Sequence, residues 1–353
     1  MMKKIEDIFK DFRTSLIRGE VKEILRKINK RRLKNIVVSY LARKSGFMLS
    51  DSPRPVTIFI ETVKGCNFNC VMCRAGELAK SYMSFETFKK LVDLFQDSLY
   101  VFPYVVGEPM LNKDIYKMIK YSSQVKKQVV LVISNFSVIS PEELVKSEPV
   151  EVSASIDSVN PEKFSKIRVN GNLNQVLGNV EKLIEVKKNL RSYLPVVSFN
   201  TTLMRENSDE VEDIVKVGIS MGVNKFYFQT VFKADFLNIY GEIPELYSIE
   251  RVRELKNKYK GKAKIFLISY YEYERGDYFS GYCQWAFSSL CIDVDGYAFP
   301  CYILFSQRQK NFGNIFADYD KVMRRRAEFI KNFRKKRPDI CEGCPLYFRN
   351  ASH

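Results

Sequence analysis

Three cysteines fall within eight residues, in the run Cys66-Asn67-Phe68-Asn69-Cys70-Val71-Met72-Cys73. The spacing is CxxxCxxC, on a short loop directly after an apolar, β-type stretch from Val56 to Glu61. Thiolates ligate iron–sulfur clusters, and a four-iron cubane asks for four of them. Three on one loop leave one iron open, and an open coordination site is where chemistry happens rather than where structure is merely held. Zinc is the competing reading. It favours four ligands, as two CxxC pairs or with histidine, and the single histidine of this chain is His353. The spacing points to a cluster with one open iron.

All eight cysteines lie in two groups, with none between Cys73 and Cys283. That distribution argues for metal ligation in a reducing compartment, not for a disulfide framework. No apolar run reaches the ~18 residues needed to span a bilayer. Lys3 and Lys4 are not followed by an apolar segment with a small-residue cleavage site, so no secretory signal is read. The expectation is a cytoplasmic protein.

The elements that must position the cysteines come from periodicity. Six apolar, strand-like runs, at 56–61, 99–106, 129–134, 150–156, 195–201 and 225–230, alternate with helical segments at 84–96, 113–123, 141–146, 173–188 and 208–221. Strands alternating with helices imply a parallel sheet of right-handed crossovers. Six units in succession predict an α/β fold, an incomplete (β/α)6 barrel, with its active site at the C-terminal ends of the strands. The cysteine loop falls at such an end.

Residues 1–52 read as a basic amphipathic helical extension. Their first 50 positions hold 14 Lys or Arg against 5 Asp or Glu, a large part of the +16 net charge. Ile5, Ile8, Phe9, Phe12 and Leu16 recur at helical spacing, as do Val21, Ile24, Leu25 and Ile28, then Leu33, Ile36, Val37, Tyr40 and Leu41. Such an extension either packs its apolar stripe on the main domain or rests on an anionic membrane. The barrel is assigned to 53–240. From 241 to 353 aromatics crowd in and the second cysteine group begins, which predicts a separate module of short strands and turns.

The loop resembles that of the radical S-adenosylmethionine (SAM) superfamily, in which the open iron chelates SAM and one electron cleaves it to a 5'-deoxyadenosyl radical. Cys66, Cys70 and Cys73 are then the cluster ligands and Met72 a neighbour of the cofactor. Other residues match family motifs one by one. Gly107-Glu108-Pro109 resembles the GGEP turn that contacts the SAM amino group, with Val106 in place of the first glycine. Ser134-Asn135-Phe136 stands where relatives often carry Thr-Asn-Gly, and Ser155-Ile156-Asp157 matches S-x-D. Arg168 matches an arginine that pairs with the SAM carboxylate, a task suited to a guanidinium fork. Asn200 and Gln229 are expected to face the barrel mouth.

The second group, Cys283, then Gly296 and Cys301, then Cys341-Glu342-Gly343-Cys344, resembles the start of the SPASM pattern, in the shortened form called twitch. Nine residues follow Cys344, so the expectation is one auxiliary 4Fe-4S cluster held by Cys283, Cys301, Cys341 and Cys344, with structural zinc as its rival. Cys291 is read as a small buried residue in a strand. Full ligation makes an electron acceptor of such a cluster, so the resemblance implies oxidation or bond formation on a small alcohol or sugar-like substrate. A membrane lipid and a peptide are the alternative substrates, and nucleic acid is disfavoured because no binding fold accompanies the charge. A reductant such as ferredoxin or flavodoxin is implied as partner. No catalytic base is assigned. Asp293, Asp295, Tyr104 and Lys233 qualify by position only, and Asp293-Val294-Asp295-Gly296 reads equally as a hairpin turn.

Overall fold

A computed structural model of the chain describes residues 21–45, 54–231, 246–268, 284–302, 305, 310–333 and 338–341. Ten strands form one sheet: β1 (Thr57–Ile60), β2 (Tyr100–Phe102), β3 (Val129–Ser134), β4 (Glu151–Ser155), β5 (Val196–Leu203), β6 (Lys225–Thr230), β7 (Lys264–Ile268), β8 (Ser289–Ile292), β9 (Tyr297–Phe299) and β10 (Gly313–Asn314). Their order is β7-β6-β5-β4-β3-β2-β1-β8-β9-β10. Every neighbouring pair from β7 to β8 is parallel, and the last two pairs are antiparallel.

From β1 to β7 the strands sit in chain order with no reversal. Right-handed crossovers that always advance in one direction put their helices on one face. The sheet therefore curls as a barrel does and lacks the switch point of a doubly wound sheet. The helices are α1 (Val21–Arg26), α2 (Lys30–Ser45), α3 (Phe85–Leu94), α4 (Ile115–Lys120), α5 (Pro141–Ser147), α6 (Pro161–Ile167), α7 (Leu173–Asn189), α8 (Val211–Ser220), α9 (Leu246–Lys258), α10 (Gln284–Ser288) and α11 (Tyr319–Phe333). Local sequence explains their starts. Ser84, Asn160 and Asn172 cap α3, α6 and α7 by accepting from the backbone N–H three residues on.

Side chains alternate across the strands. Ile58, Ile60, Val101, Val130, Val132, Val152 and Phe199 pack against helix residues such as Phe88, Leu91, Ile119, Leu144 and Val180. Each such burial is worth roughly 1.5–3 kcal/mol. The inner face is divided. Around β1, β2 and β8 it is apolar, with Phe59, Tyr100, Phe102, Leu131 and Cys291. Across β4, β5 and β6 it carries Glu151, Ser153, Ser155, Ser198, Asn200 and Lys225, all buried. These groups satisfy one another: Lys225 Nζ lies 2.6 Å from Glu151 Oε2, and Ser198 Oγ donates to Glu151 Oε1 at 2.7 Å.

α1 and α2 close the end where the strands begin. Ile24 and Ile36 pack with Val56, Leu99, Val129 and Val150, the residues that enter β1 to β4. Arg32 is buried and donates to the carbonyls of Lys27, Gln96 and Lys126 at 2.7, 3.1 and 2.6 Å. Ile24, Ile36 and Ala42 are thus spent on the domain, while Val21, Leu25, Leu33 and Leu41 are exposed together with Lys30, Arg31 and Lys34. Residues 1–20 of the expected extension lie outside the described residues. Among the described residues no helix is long and apolar enough to cross a membrane.

The six expected strands are present, and two more parallel strands join them at either edge. β7 pairs with β6, where Tyr227 and Phe266 stack at 5.2 Å, and β8 pairs with β1 from Thr57↔Ser289 to Ile60↔Ile292. The region after 240 is therefore continuous with the barrel sheet at both edges. A second run rich in Lys and Arg spans 321–337, and part of it is structural too. Arg326 on α11 is buried and donates to Phe287 O at 2.9 Å, and desolvation lowers its pKa to about 10.

Candidate functional site

The cysteine loop leaves β1 at its C-terminal end and is stitched down twice. Val63 and Lys64 pair antiparallel with Tyr82 and Ser81, and Asn69 and Cys70 pair with Val169 and Arg168. Val71 N adds a bond to Ile167 O at 3.0 Å. The GEP turn packs directly beneath. Gly107 has φ +106, and a Cβ there would sit 2.5 Å from Gly65 O and 2.6 Å from Val63 O, so no side chain fits. Glu108 N then donates to Gly65 O at 3.2 Å.

Each sulfur accepts an N–H. Cys66 Sγ takes Phe68 N at 3.4 Å and Asn135 Nδ2 at 3.7 Å. Cys70 Sγ takes Arg168 Nη1 at 3.8 Å, and Cys73 Sγ takes Ala75 N at 3.4 Å. Cys66 and Cys70 are half-buried and Cys73 is exposed. Burial pushes the Cys66 thiol up, and pushes Cys70 up to about 12 although the Arg168 guanidinium opposes it. Iron must therefore displace protons to load here. The donor set fits a cluster: three soft sulfurs on one loop, each already accepting a hydrogen bond. Among the described residues no three His, Cys, Asp or Glu side chains converge as they would on a single metal ion. A cubane asks for something else, since its irons sit at separate corners.

The residues expected to touch SAM are drawn around this loop. Glu108 turns inward and is buried. Its Oε1 accepts from Met110 N at 3.0 Å and Ser134 Oγ at 2.8 Å, and its Oε2 from Asn135 N at 2.7 Å. Burial raises its pKa against the pull of these donors. Pro109 opens the short helical turn that Glu108 caps. Asn135 also donates to Asn67 Oδ1 at 2.9 Å, and Phe136 beside it has φ +59 with its ring buried. That left-handed backbone, costing about 1–2 kcal/mol outside glycine, accounts for the glycine expected at this place.

Asp157, fully buried, accepts from Thr202 N at 2.7 Å and faces Arg168 Nε at 2.7 Å. Ser155 and Asn200 lie opposite each other in register on β4 and β5, and Gln229 on β6 lies opposite Thr202. Met72 packs with Ile167, Met204 and Val231. Sequence reasoning missed Asn67, Ser137 and Thr202 as site residues. The polar run Ser134-Asn135-Phe136-Ser137 at a strand end was the available signal.

Of the second group, Cys291, Cys301 and Cys341 are buried, while Cys283 and Cys344 lie outside the described residues. β9 runs back along β8 with Phe299 opposite Cys291. Cys301 thus lies toward the N-terminal end of the sheet, away from the Cys66 loop. Aromatic rings pack with Cys291 in one core cluster: Phe59 and Phe102 stack at 4.5 Å, Phe59 meets Trp285 at 5.8 Å, and Trp285 meets Tyr302 at 5.1 Å. Asp293 caps the hairpin, its Oδ1 accepting from Asp295 N and Tyr297 N at 3.0 and 2.8 Å, with Gly296 at φ +90. Lys233 lies outside the described residues.

Comparison with known proteins agrees with this geometry. Residues 60–217 match the radical SAM superfamily and residues 283–345 the SPASM iron–sulfur cluster-binding domain. These two domains support a radical SAM enzyme of the SPASM/twitch subgroup, with 4Fe-4S clusters and SAM as its cofactors. It is 27% identical over 177 residues to a GTP 3',8-cyclase of Hydrogenovibrio crunogenus, covering 47% of this chain and 52% of that protein. It is 27% identical over 179 residues to an AdoMet-dependent heme synthase of Oleidesulfovibrio alaskensis, covering 48% and 44%. The matches span about half the length of these curated relatives. In fold it is similar to Streptococcus suis SuiB bound to the precursor peptide SuiA, with TM-score 0.68, 15% identity, and 89% of this chain and 74% of that chain covered.

Proposed function

We propose that Cys66, Cys70 and Cys73 ligate the cluster that binds SAM, and that Cys283, Cys301, Cys341 and Cys344 ligate one auxiliary cluster. Bound together, these groups supply reductive cleavage of SAM, hydrogen-atom abstraction from substrate and an acceptor for the electron the substrate then gives up. The observation that carries the reading is the loop itself, held at the C-terminal end of β1 with an N–H aimed at every sulfur. The chain's part is to hold that loop still. Gly107 allows the close approach, and Glu108 and Asp157 tie it to the ends of neighbouring strands.

The substrate enters at the C-terminal mouth, because α1 and α2 close the other end. A small, hydroxylated molecule suits the inner wall of β4 to β6, where Ser155, Asn200 and Gln229 offer hydroxyl and amide groups across from the aromatic layer. A peptide substrate is the second reading, favoured by the likeness over 89% of the chain to SuiB, whose crystal structure holds a precursor peptide. A membrane-lipid substrate is the third reading: Ile24 and Ile36 are buried on the domain, but Val21, Leu25, Leu33 and Leu41 are exposed beside Lys30, Arg31 and Lys34. The proposed organisation is the one read from the sequence, a basic amphipathic extension over 1–52, a barrel over 53–240 and an auxiliary-cluster region over 241–353.

The test follows the hydrogen atom. Reduced anaerobic enzyme and SAM are incubated with lipid, peptide and small-molecule fractions of cells grown in deuterated medium. Deuterium in 5'-deoxyadenosine from the small-molecule fraction is expected, and label from the peptide fraction would transfer the assignment to the second reading.

A further inference from the structure

We propose that Arg168 and Asn135 are positioning residues for the cluster thiolates, two side-chain N–H donors that raise the reduction potential of the SAM-binding cluster. The inference rests on the reading that Cys66, Cys70 and Cys73 hold that cluster.

The two donors are built alike. Arg168 Nη1 reaches Cys70 Sγ at 3.8 Å while its Nε lies 2.7 Å from the wholly buried Asp157 carboxylate. Asn135 Nδ2 reaches Cys66 Sγ at 3.7 Å while its backbone N–H is held at 2.7 Å by Glu108, buried as well. In each case a carboxylate at a strand end fixes a residue that points an N–H at a sulfur. Both donors are constrained further. Arg168 shares a two-residue ladder with the cysteine loop, and Asn135 Oδ1 accepts from Ser137 N and Ser137 Oγ at 2.9 and 2.7 Å. Neither side chain can leave the sulfur without breaking a buried contact.

The chemistry gives a direction. Reduction adds negative charge that spreads onto the ligating sulfurs, so an N–H donor or a nearby cation stabilises the reduced state more than the oxidised one. Arg168 supplies both a donor and a charge in a site where burial weakens screening. Strand-end residues expected to contact SAM thereby acquire work on the cluster ligands.

The test uses the reconstituted full chain, with EPR-monitored redox titration of the cluster signal that SAM perturbs. Arg168→Met and Asn135→Asp are expected to keep wild-type iron content. At a fixed poise their reduced-to-oxidised ratio should fall about tenfold, equal to about 59 mV for a one-electron couple. Arg168→Lys, which keeps a cationic donor, should recover most of the change. If Arg168→Met fails to load iron, Asn135→Asp and Arg168→Lys decide. A wild-type midpoint in the variants, with only SAM affinity reduced, would overturn the inference and return these arms to the cofactor. Absence of any SAM-perturbed signal in the wild-type protein would instead overturn the underlying reading of the loop.

Discussion

Asp157 and Arg168 face each other at 2.7 Å, the carboxylate wholly buried and the guanidinium side chain 8% exposed. Asp157 follows β4 and Arg168 follows α6, so the pair ties a strand end to the turn that flanks Cys70. Breaking a buried pair by neutralising one partner leaves the other charge uncompensated and costs about 3–5 kcal/mol. Asp157→Asn should therefore lower the denaturation midpoint sharply, while Asp157→Asn with Arg168→Met loses less than the single change. Chemical denaturation of the two variants, side by side, checks this. A single variant no worse than the double would show that the pair carries no buried charge cost.

Gly107→Ala should be among the more damaging small substitutions. Its Cβ would lie 2.5 Å from Gly65 O and its φ is +106, so the backbone of the cysteine loop must shift. Strain of this kind costs about 1–3 kcal/mol. The expected outcome is a lower melting temperature together with incomplete iron loading. Full loading at wild-type stability would mean that the turn and loop can separate without consequence.

The end of the barrel opposite the cysteines makes a different prediction. Arg32 is buried and gives its donors to carbonyls of residues 27, 96 and 126. Arg32→Met leaves those acceptors unmatched, at about 1–3 kcal/mol for each unsatisfied group. Thermal melts should show a clear loss of stability, with no change in sedimentation of the protein with anionic vesicles. Loss of vesicle binding at unchanged stability would return α1 and α2 to a membrane role.

A pH dependence follows from Lys27, whose Nζ donates to Ser123 O at 3.0 Å. Desolvation lowers its pKa to about 8 from 10.5, with nearby Glu23 opposing. The unfolded chain keeps this proton to about pH 10.5 and the native chain releases it near 8, so this group makes stability rise between those values. With partial exposure discounted, the contribution is about 1–2 kcal/mol. Denaturation at pH 7.5 and pH 10 should show a gain in the wild-type protein that Lys27→Met reduces. Equal pH slopes for the two proteins would contradict the assignment.

The cysteine loop, the six parallel strands and the motifs at their ends were legible because each is local: spacing on one loop, alternation within one run, a turn after one strand. Relationships across the chain were not. β7 and β8 are five- and four-residue strands set in an aromatic stretch, and nothing in their residues says that each pairs with an edge of the barrel sheet. Residue type placed Glu108 and Arg168 at the site but not the direction they face, because that depends on Ser134, Asn135 and Asp157 from other strands. Arg326 stands in the basic triplet Arg324-Arg325-Arg326, and only packing reveals that its guanidinium is buried against Phe287 O.

The central claim is that Cys66, Cys70 and Cys73 hold the cluster that binds SAM and that the remaining cysteines hold another. The most direct measurement is iron content together with the SAM-induced change in the EPR spectrum, on the anaerobically reconstituted variant with all three replaced by Ala. About four irons per chain should remain, with no spectral response to SAM and no 5'-deoxyadenosine formed. A SAM-responsive signal that survives in this variant would contradict the account.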